Sequence, residues 1–375
     1  MLCALSYLVV TFVGLTASIA VENSLPPANP KPGATAAIDV SGFSSSAHHW
    51  RGIRDESRFI KVEPNQPSYP PTQVREIVTN ILRFQRDNGG WPEDYDMTAI
   101  LTEAQVAQVL ATRRRQDTSF DNGNVHSQVA YLAQAYTQQG ESAWRDACRR
   151  GLDFILSAQY PNGGFPQRYP EPKDFHAHIT FNDGAMIGCL NVLKDAADGA
   201  PQFAWLDDGR RERARDAVQR GGACILKCQI RVAGRLAGWC QQHDELTYAA
   251  RPARTFELVS ICPQDTTEIL RFLMRWDTPS AEMVQAMDAA VAWLAQVQLS
   301  GIRVEKVKAP PQEFLRHTAD FDTVVVADSK APVLWARHYE IGTNRPIFAG
   351  RDGVKKYALA EIERERRTGT AWYGN

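Results

Sequence analysis

From about residue 74 onward the chain carries apolar residues in helical step. VREIVTNILRFQR places them at i, i+3, i+4 and i+7. The same spacing runs through HSQVAYLAQAYTQQ, SAWRDACRRGLDFILSAQ, AMIGCLNVLKDAAD, RRERARDAVQRGGACILKCQIR, TTEILRFLMRW and SAEMVQAMDAAVAWLAQVQ. Strand signals are sparse, the best being TVVVAD at residues 323–328. The pattern predicts a predominantly helical domain.

A local echo adds architecture. QRDNGGWP at residues 85–92 returns as QYPNGGFP at residues 159–166, and a degraded copy is AGWCQQ at residues 237–242. Each of the first two follows a helix and sets Gln six residues before an aromatic. A helix–turn unit returning every 70 to 75 residues or so implies helix pairs wound round an axis, because stacked repeats bury one another's faces. The expectation is an α/α toroid with its loops gathered at one end and an aromatic anchoring each loop.

Before residue 73 the pattern is different. Residues 1–20 are an apolar run ending in small residues at Ser18 and Ala20, which reads as a secretory signal peptide, although no Lys or Arg precedes Arg51. Its length also approaches that of a membrane span. Residues 21–72 are rich in Pro, Ser, Gly and Ala, as in a linker or a loosely packed N-terminal arm. Residues 73–375 form the expected catalytic domain.

The chain has 375 residues, 44% of them hydrophobic, and a formal net charge of −1. That supports a sizeable core and argues against a bulk electrostatic nucleic-acid binder, so an acidic partner has to be held by local Arg and Lys groups. Of the seven cysteines, Cys3 would leave with the signal. The other six lie mostly in apolar helical stretches and read as small buried hydrophobes rather than disulfides. Cys224 and Cys228 share a helix face, but no second pair at zinc-site spacing accompanies them.

Candidate chemistry sits at helix mouths and in Arg-bearing loops. SFDNGNVHSQ puts Asp121 just before one helix, and HITFNDGAM puts Asp183 just before another. Either carboxylate alone reads as a helix cap. Together, at helix mouths facing one central cleft, they suit a hard cation such as Ca²⁺ or an acid/base pair for glycoside hydrolysis, and spacing does not separate the two. Arg251 and Arg254 lie in a Pro-containing segment suited to carboxylate recognition. Arg345 and Arg351 sit in turn-rich loops near the C-terminus, and Lys355 and Lys356 read as opening a final helix.

FDNGNVHSQ, QYPNGGFPQRYP, HAHITFNDGAM, CQQHDELTYAARPARTFEL, LWARHYEIGTNRPIF and GRDGVKKYALAEIERERR, in that order, resemble a pectate lyase of the family-10 type from about Gln73 to the last residue. The resemblance implies an all-α fold, an incomplete α/α toroid of about three helix pairs, (α/α)3, with minor β segments. It implies cleavage of polygalacturonate by anti-β-elimination with Ca²⁺. With the signal-like N-terminus and the near-neutral charge, the expectation is a secreted or periplasmic monomer that binds no nucleic acid and, once the signal is removed, no membrane. By the same resemblance Asp121 and Asp183 hold Ca²⁺ and Arg254 is the base. Arg345 would hold a substrate carboxylate, with Arg351 as a helper; Arg251 is a further substrate-binding candidate from its loop position. The segment GIRVEKVKAPPQEFLRHTADFD departs from the family pattern. Two rival readings accompany this one: a noncatalytic acidic-polysaccharide-binding protein, and a triterpene-cyclase-like barrel enzyme. The second shares the Gln-to-Trp spacing at residues 85–91 but lacks an Asp-x-Asp-Asp run.

Overall fold

The computed structural model describes residues 36–374. Ten α-helices are present among them: α1 (Ser44–Gly52), α2 (Val74–Phe84), α3 (Glu103–Ala111), α4 (His126–Gln139), α5 (Ser142–Ala158), α6 (Ala185–Asp198), α7 (Asp208–Cys228), α8 (Pro263–Leu273), α9 (Ala281–Gln296) and α10 (Arg364–Gly369). The periodic stretches of the sequence became α2 and α4 to α9. The bounds of α4 and α6 match the apolar patterns that announced them, each closing at a left-handed glycine, Gly140 and Gly199. Pairs α4–α5 and α6–α7 pack against each other, and their inner faces, with α2, make the main core.

The all-α expectation is overturned. Strand makes up 15% of the structure against 43% helix, and an incomplete (α/α)3 toroid is not what the structure shows. Two long antiparallel strands, Ile302–Glu313 and Thr318–Ala327, form a hairpin. Smaller ribbons pair Thr118–Ser119 with Arg168–Tyr169, and Gln242–His243 with both Ile179–Thr180 and Ala250–Arg251. The reason lies in the connections. Loops between helices satisfy their backbone groups on one another, where periodicity in the helices gives no hint of them. TVVVAD belongs to the second hairpin strand, and Lys355–Lys356 is a strand against Phe348–Ala349 rather than a helix start.

The loop echo has a mechanical basis. Gln85 follows α2 and donates to the carbonyls of Gly89 (3.1 Å) and of Ala147 in α5 (2.9 Å). Gln159 follows α5 and donates to Gly163 (3.0 Å) and to Ala217 in α7 (2.8 Å). Gln229 follows α7 and donates to Ala237 (2.7 Å) and to Ala286 in α9 (2.9 Å). The third copy therefore begins at Gln229, not within AGWCQQ, and the ribbon Arg231–Val232 with Arg235–Leu236 lengthens its turn. Trp91 and Trp239 close the first and third turns by donating to Ile81 and Ile225 (both 2.8 Å). Gly89 and Gly163 both have left-handed φ, and a Cβ on either would strike the backbone carbonyl of Arg150 or Arg220. Arg150 and Arg220 also cap the glutamine oxygens of the first two copies, whereas Oε1 of Gln229 has no partner among the described residues. Gln85→Ala is expected to lower unfolding free energy by about 2 kcal/mol in urea titrations, since it strips a buried carbonyl of its donor. Activity per folded molecule should be unchanged.

The described part of the Pro- and Ser-rich arm is packed. Residues from Ala37 onward belong to the same compact unit as the rest. Ile38, Phe43, Trp50 and Ile60 are buried in the core, and Arg58 closes the end of α1 by donating to the carbonyls of His49 and Ile53 (2.7 and 2.8 Å). Sparse apolar residues with long reach did this, which composition averages away. The apolar run at residues 1–20, Cys3 and residues 21–35 lie outside the described residues. Within the described ones no helix is long and apolar enough to cross a membrane. The six remaining cysteines are buried free thiols.

Candidate active site

Two short turns present the carboxylates. Before α4 the chain runs Phe120-Asp121-Asn122-Gly123, and before α6 it runs Phe181-Asn182-Asp183-Gly184, each as one turn of 3₁₀ helix. The second polar position is left-handed in both, with φ 54° at Asn122 and 51° at Asp183. Asp and Asn tolerate that conformation better than other side chains do. The two turns thus carry the same backbone with acid and amide exchanged. Neither aspartate caps its helix: α4 follows Val125 and α6 follows Gly184, without a side-chain cap. Val125 itself is held at φ 68°, an unusual place for a β-branched residue and a mark of local strain beside the site.

The amides hold the turns. Asn122 donates to Asp94 (3.0 Å) and accepts from Ser45 of α1 (2.9 Å), so the N-terminal segment braces this turn. Asn124 donates to the carbonyls of Trp91 (2.9 Å) and Ser119 (2.7 Å). Asn182 donates to Asp183 (2.6 Å) and accepts from Arg337 (3.3 Å), while the carbonyl of Gln241 receives the amides of Phe181 and Asn182.

Asp121, Asp183, Arg254 and Arg351 line one cavity of about 700 Å³, with Glu93, Asp94, Arg168, Arg337 and Arg366. Its composition divides into an acidic group and a basic group. Oδ1 of Asp121 is sealed from solvent and has no hydrogen-bond partner among the described residues. Burial, then the charges of Asp183 and Glu93, push its carboxyl well above the usual carboxylate range, with Arg254 opposing. Glu93 is raised as well, chiefly by burial, with Arg168 offsetting part.

Arg254 sits in a tight loop. Its amide and Nε both reach Oε2 of Glu257 (3.1 and 2.8 Å), and Nη2 pairs with Oε1. Its side chain is 53% exposed, toward the cleft. Burial works against its charge, but Glu257, with Asp121 and Asp183 beyond, holds the guanidinium protonated above the ordinary arginine range. Phe256 forms a plate for three arginines: Arg366 lies 3.7 Å over its ring, Arg254 4.9 Å and Arg351 5.9 Å. Burial and the neighbouring Arg254 and Arg351 lower Arg366 to about 10. Arg351 is anchored on Glu365 (2.6 and 2.9 Å).

Two arginines expected at the site are elsewhere. Arg251 pairs with Asp244 (2.7 and 3.0 Å) and does not line the cleft. Arg345 places its Cζ over Tyr357, 3.7 Å from the ring centroid, and does not line it either. Both look like site residues in sequence because a loop arginine beside proline carries no sign of its local partner. Arg337 and Arg366 line the cleft without a sequence signal: the first sits in LWARHYE, the second in ERERR, which reads as a solvated face. Glu93 and Asp94 directly follow the first loop echo, a position that could have flagged them.

The profile of the pectic acid lyase family matches residues 85–375. The chain belongs to that family. It is a polysaccharide lyase, and the triterpene-cyclase reading falls away. Two solved structures agree. An aspartate-to-alanine mutant of a family 10 polysaccharide lyase from Cellvibrio cellulosa, in complex with trigalacturonic acid, superposes with a TM-score of 0.70 at 31% identity, over 81% of this chain and 89% of that one. A family 10 polysaccharide lyase from the same organism gives 0.68 and 31%, over 81% and 88%. No curated protein matches the chain.

Proposed function

We propose that this lyase cleaves polygalacturonate by calcium-assisted anti-β-elimination, with Arg254 as base and Asp121 and Asp183 as the calcium ligands. The observation that carries the reading is the orphaned Oδ1 of Asp121, in the same cavity as Asp183 and Arg254. A buried carboxylate oxygen with no donor, raised by a second carboxylate, is a site that a cation would relieve. Among the described residues no cluster of three or more His, Cys, Asp and Glu is assembled for a metal. Two aspartates therefore fit a hard cation with an open shell, completed by water and by the substrate's own carboxylate. Calcium held there supplies positive charge where the uronate carboxylate gains negative charge as its α-proton leaves.

The chain's own residues do the rest. Arg337, Arg351 and Arg366, which line the same cavity as the acids, give the uronate carboxylates a charged, forked set of donors. Arg254 takes the proton from C5. The C5–H electrons become the C4–C5 double bond, the C4–O4 bond breaks, and O4 leaves with a proton from water. Glu257 aims Arg254 but also holds its proton, so the base form is scarce. Its fraction grows tenfold per pH unit below the guanidinium value, and kcat/KM should climb through the alkaline range. The full proposal places the enzyme outside the cytoplasm as a monomer acting on pectate. Mass analysis of polygalacturonate digests tests it: each cleavage should leave a non-reducing end lighter by one water than a hydrolytic end. Saturated ends would refute elimination.

A further inference from the structure

We propose that a second groove, opening from the cleft between α1 and the hairpin tip, is an additional subsite for uronate units of the polymer. The inference rests on the polygalacturonate reading of the cleft. The groove encloses about 400 Å³ and shares Ile53, Asp55, Arg58, Arg316 and His317 with the cleft, so the two adjoin along a common wall. Beyond the shared wall it adds Arg51, Arg54 and Lys61, against Glu56 alone among acids. A chain with a carboxylate on every sugar needs cations spaced along its path, and this adjoining groove continues them past the chemistry.

The cations are available. Arg54, Lys61 and Arg316 are each about half exposed, and each is paired with a side chain at the surface: Glu313, Glu56 (2.9 Å) and Asp55 (2.8 Å). Such exposed pairs are weak, so a substrate carboxylate can replace the side-chain one at little cost. The walls are tied by backbone: the amide of Arg54 donates to the carbonyl of Arg316 (2.9 Å), and Arg316 Nη1 donates to that of Arg54 (3.2 Å). Arg58 is buried on the carbonyls closing α1 and serves as scaffold. The floor, residues 51–62, precedes residue 85, where the family match starts. Its hairpin wall, Arg316 to Thr318, lies within the matched residues, so the groove joins this chain's N-terminal segment to the family domain.

The test compares polygalacturonate with trigalacturonate for the full-length Arg54→Gln/Lys61→Gln variant. KM for the polymer should rise about tenfold with kcat unchanged, while kcat/KM for the trimer stays within about twofold. Added salt should erase the wild-type preference for the polymer. The charge-retaining Arg54→Lys/Lys61→Arg variant should keep wild-type values, which separates charge from folding. Equal losses on both substrates, or none on the polymer, would overturn the subsite. If the wild type cleaves neither substrate, the lyase reading fails by itself. The groove is then read by retardation in polygalacturonate gels, where the glutamine variant should migrate faster than wild type; equal migration overturns it.

Discussion

Arg254→Ala is expected to lower kcat/KM on polygalacturonate by about 10³-fold, the scale of a lost general base. KM should change far less, because Arg337, Arg351 and Arg366 still face the substrate. The Glu257 pairing sharpens the test. Glu257→Gln removes the carboxylate that holds Arg254 protonated. Arg254 would then lose its proton more readily, and the rising limb of kcat/KM should move to lower pH. An unmoved limb, or an Arg254→Ala variant with more than about a tenth of wild-type kcat, would assign the base elsewhere.

Asp121→Asn should do two opposite things at neutral pH: raise thermal stability by about 2 °C in the absence of added metal, and lower activity with calcium present by about 10²-fold. The sign follows from linkage. Burial and Asp183 raise the folded-state value of Asp121 above its ordinary 3.8. The folded protein thus holds this proton longer than the unfolded chain, and stability falls as pH rises through that interval. Above it the buried charge is carried in full, and an amide removes it. Calcium should raise the melting temperature of the wild type, by mass action, and leave Asp121→Asn unmoved. Asp183→Ala should likewise cost activity far more than stability. A less stable asparagine variant that still responds to calcium would show that Asp121 is not a ligand.

Legibility followed physical range. Helices α4 and α6 could be bounded from sequence because an amphipathic run and a closing glycine are local signals. The hairpin Ile302–Glu313 with Thr318–Ala327 was half seen, since its first strand is largely exposed and carries no alternation of apolar residues. Helix α1 was hidden by its Ser-rich composition, although Phe43 and Trp50 beside and within it are core residues. The α3 start, Thr102 to Gln105, carries a capping box that was there to be read. At the site, Asp121 and Asp183 were identifiable as a pair, and the exchange of acid and amide stands in the sequence, but the common left-handed turn that both adopt depends on backbone angles. Arg251 and Arg345 show the reverse failure. Their partners, Asp244 and Tyr357, are set by tertiary contacts that no spacing announces.

The most direct measurement is ultraviolet absorbance of polygalacturonate incubated with the enzyme, followed before and after a calcium chelator and again after calcium is restored. The account predicts a rising signal from the C4–C5 double bond that stops with chelator and resumes with calcium. Cleavage without that chromophore, or a signal indifferent to the chelator, would contradict it.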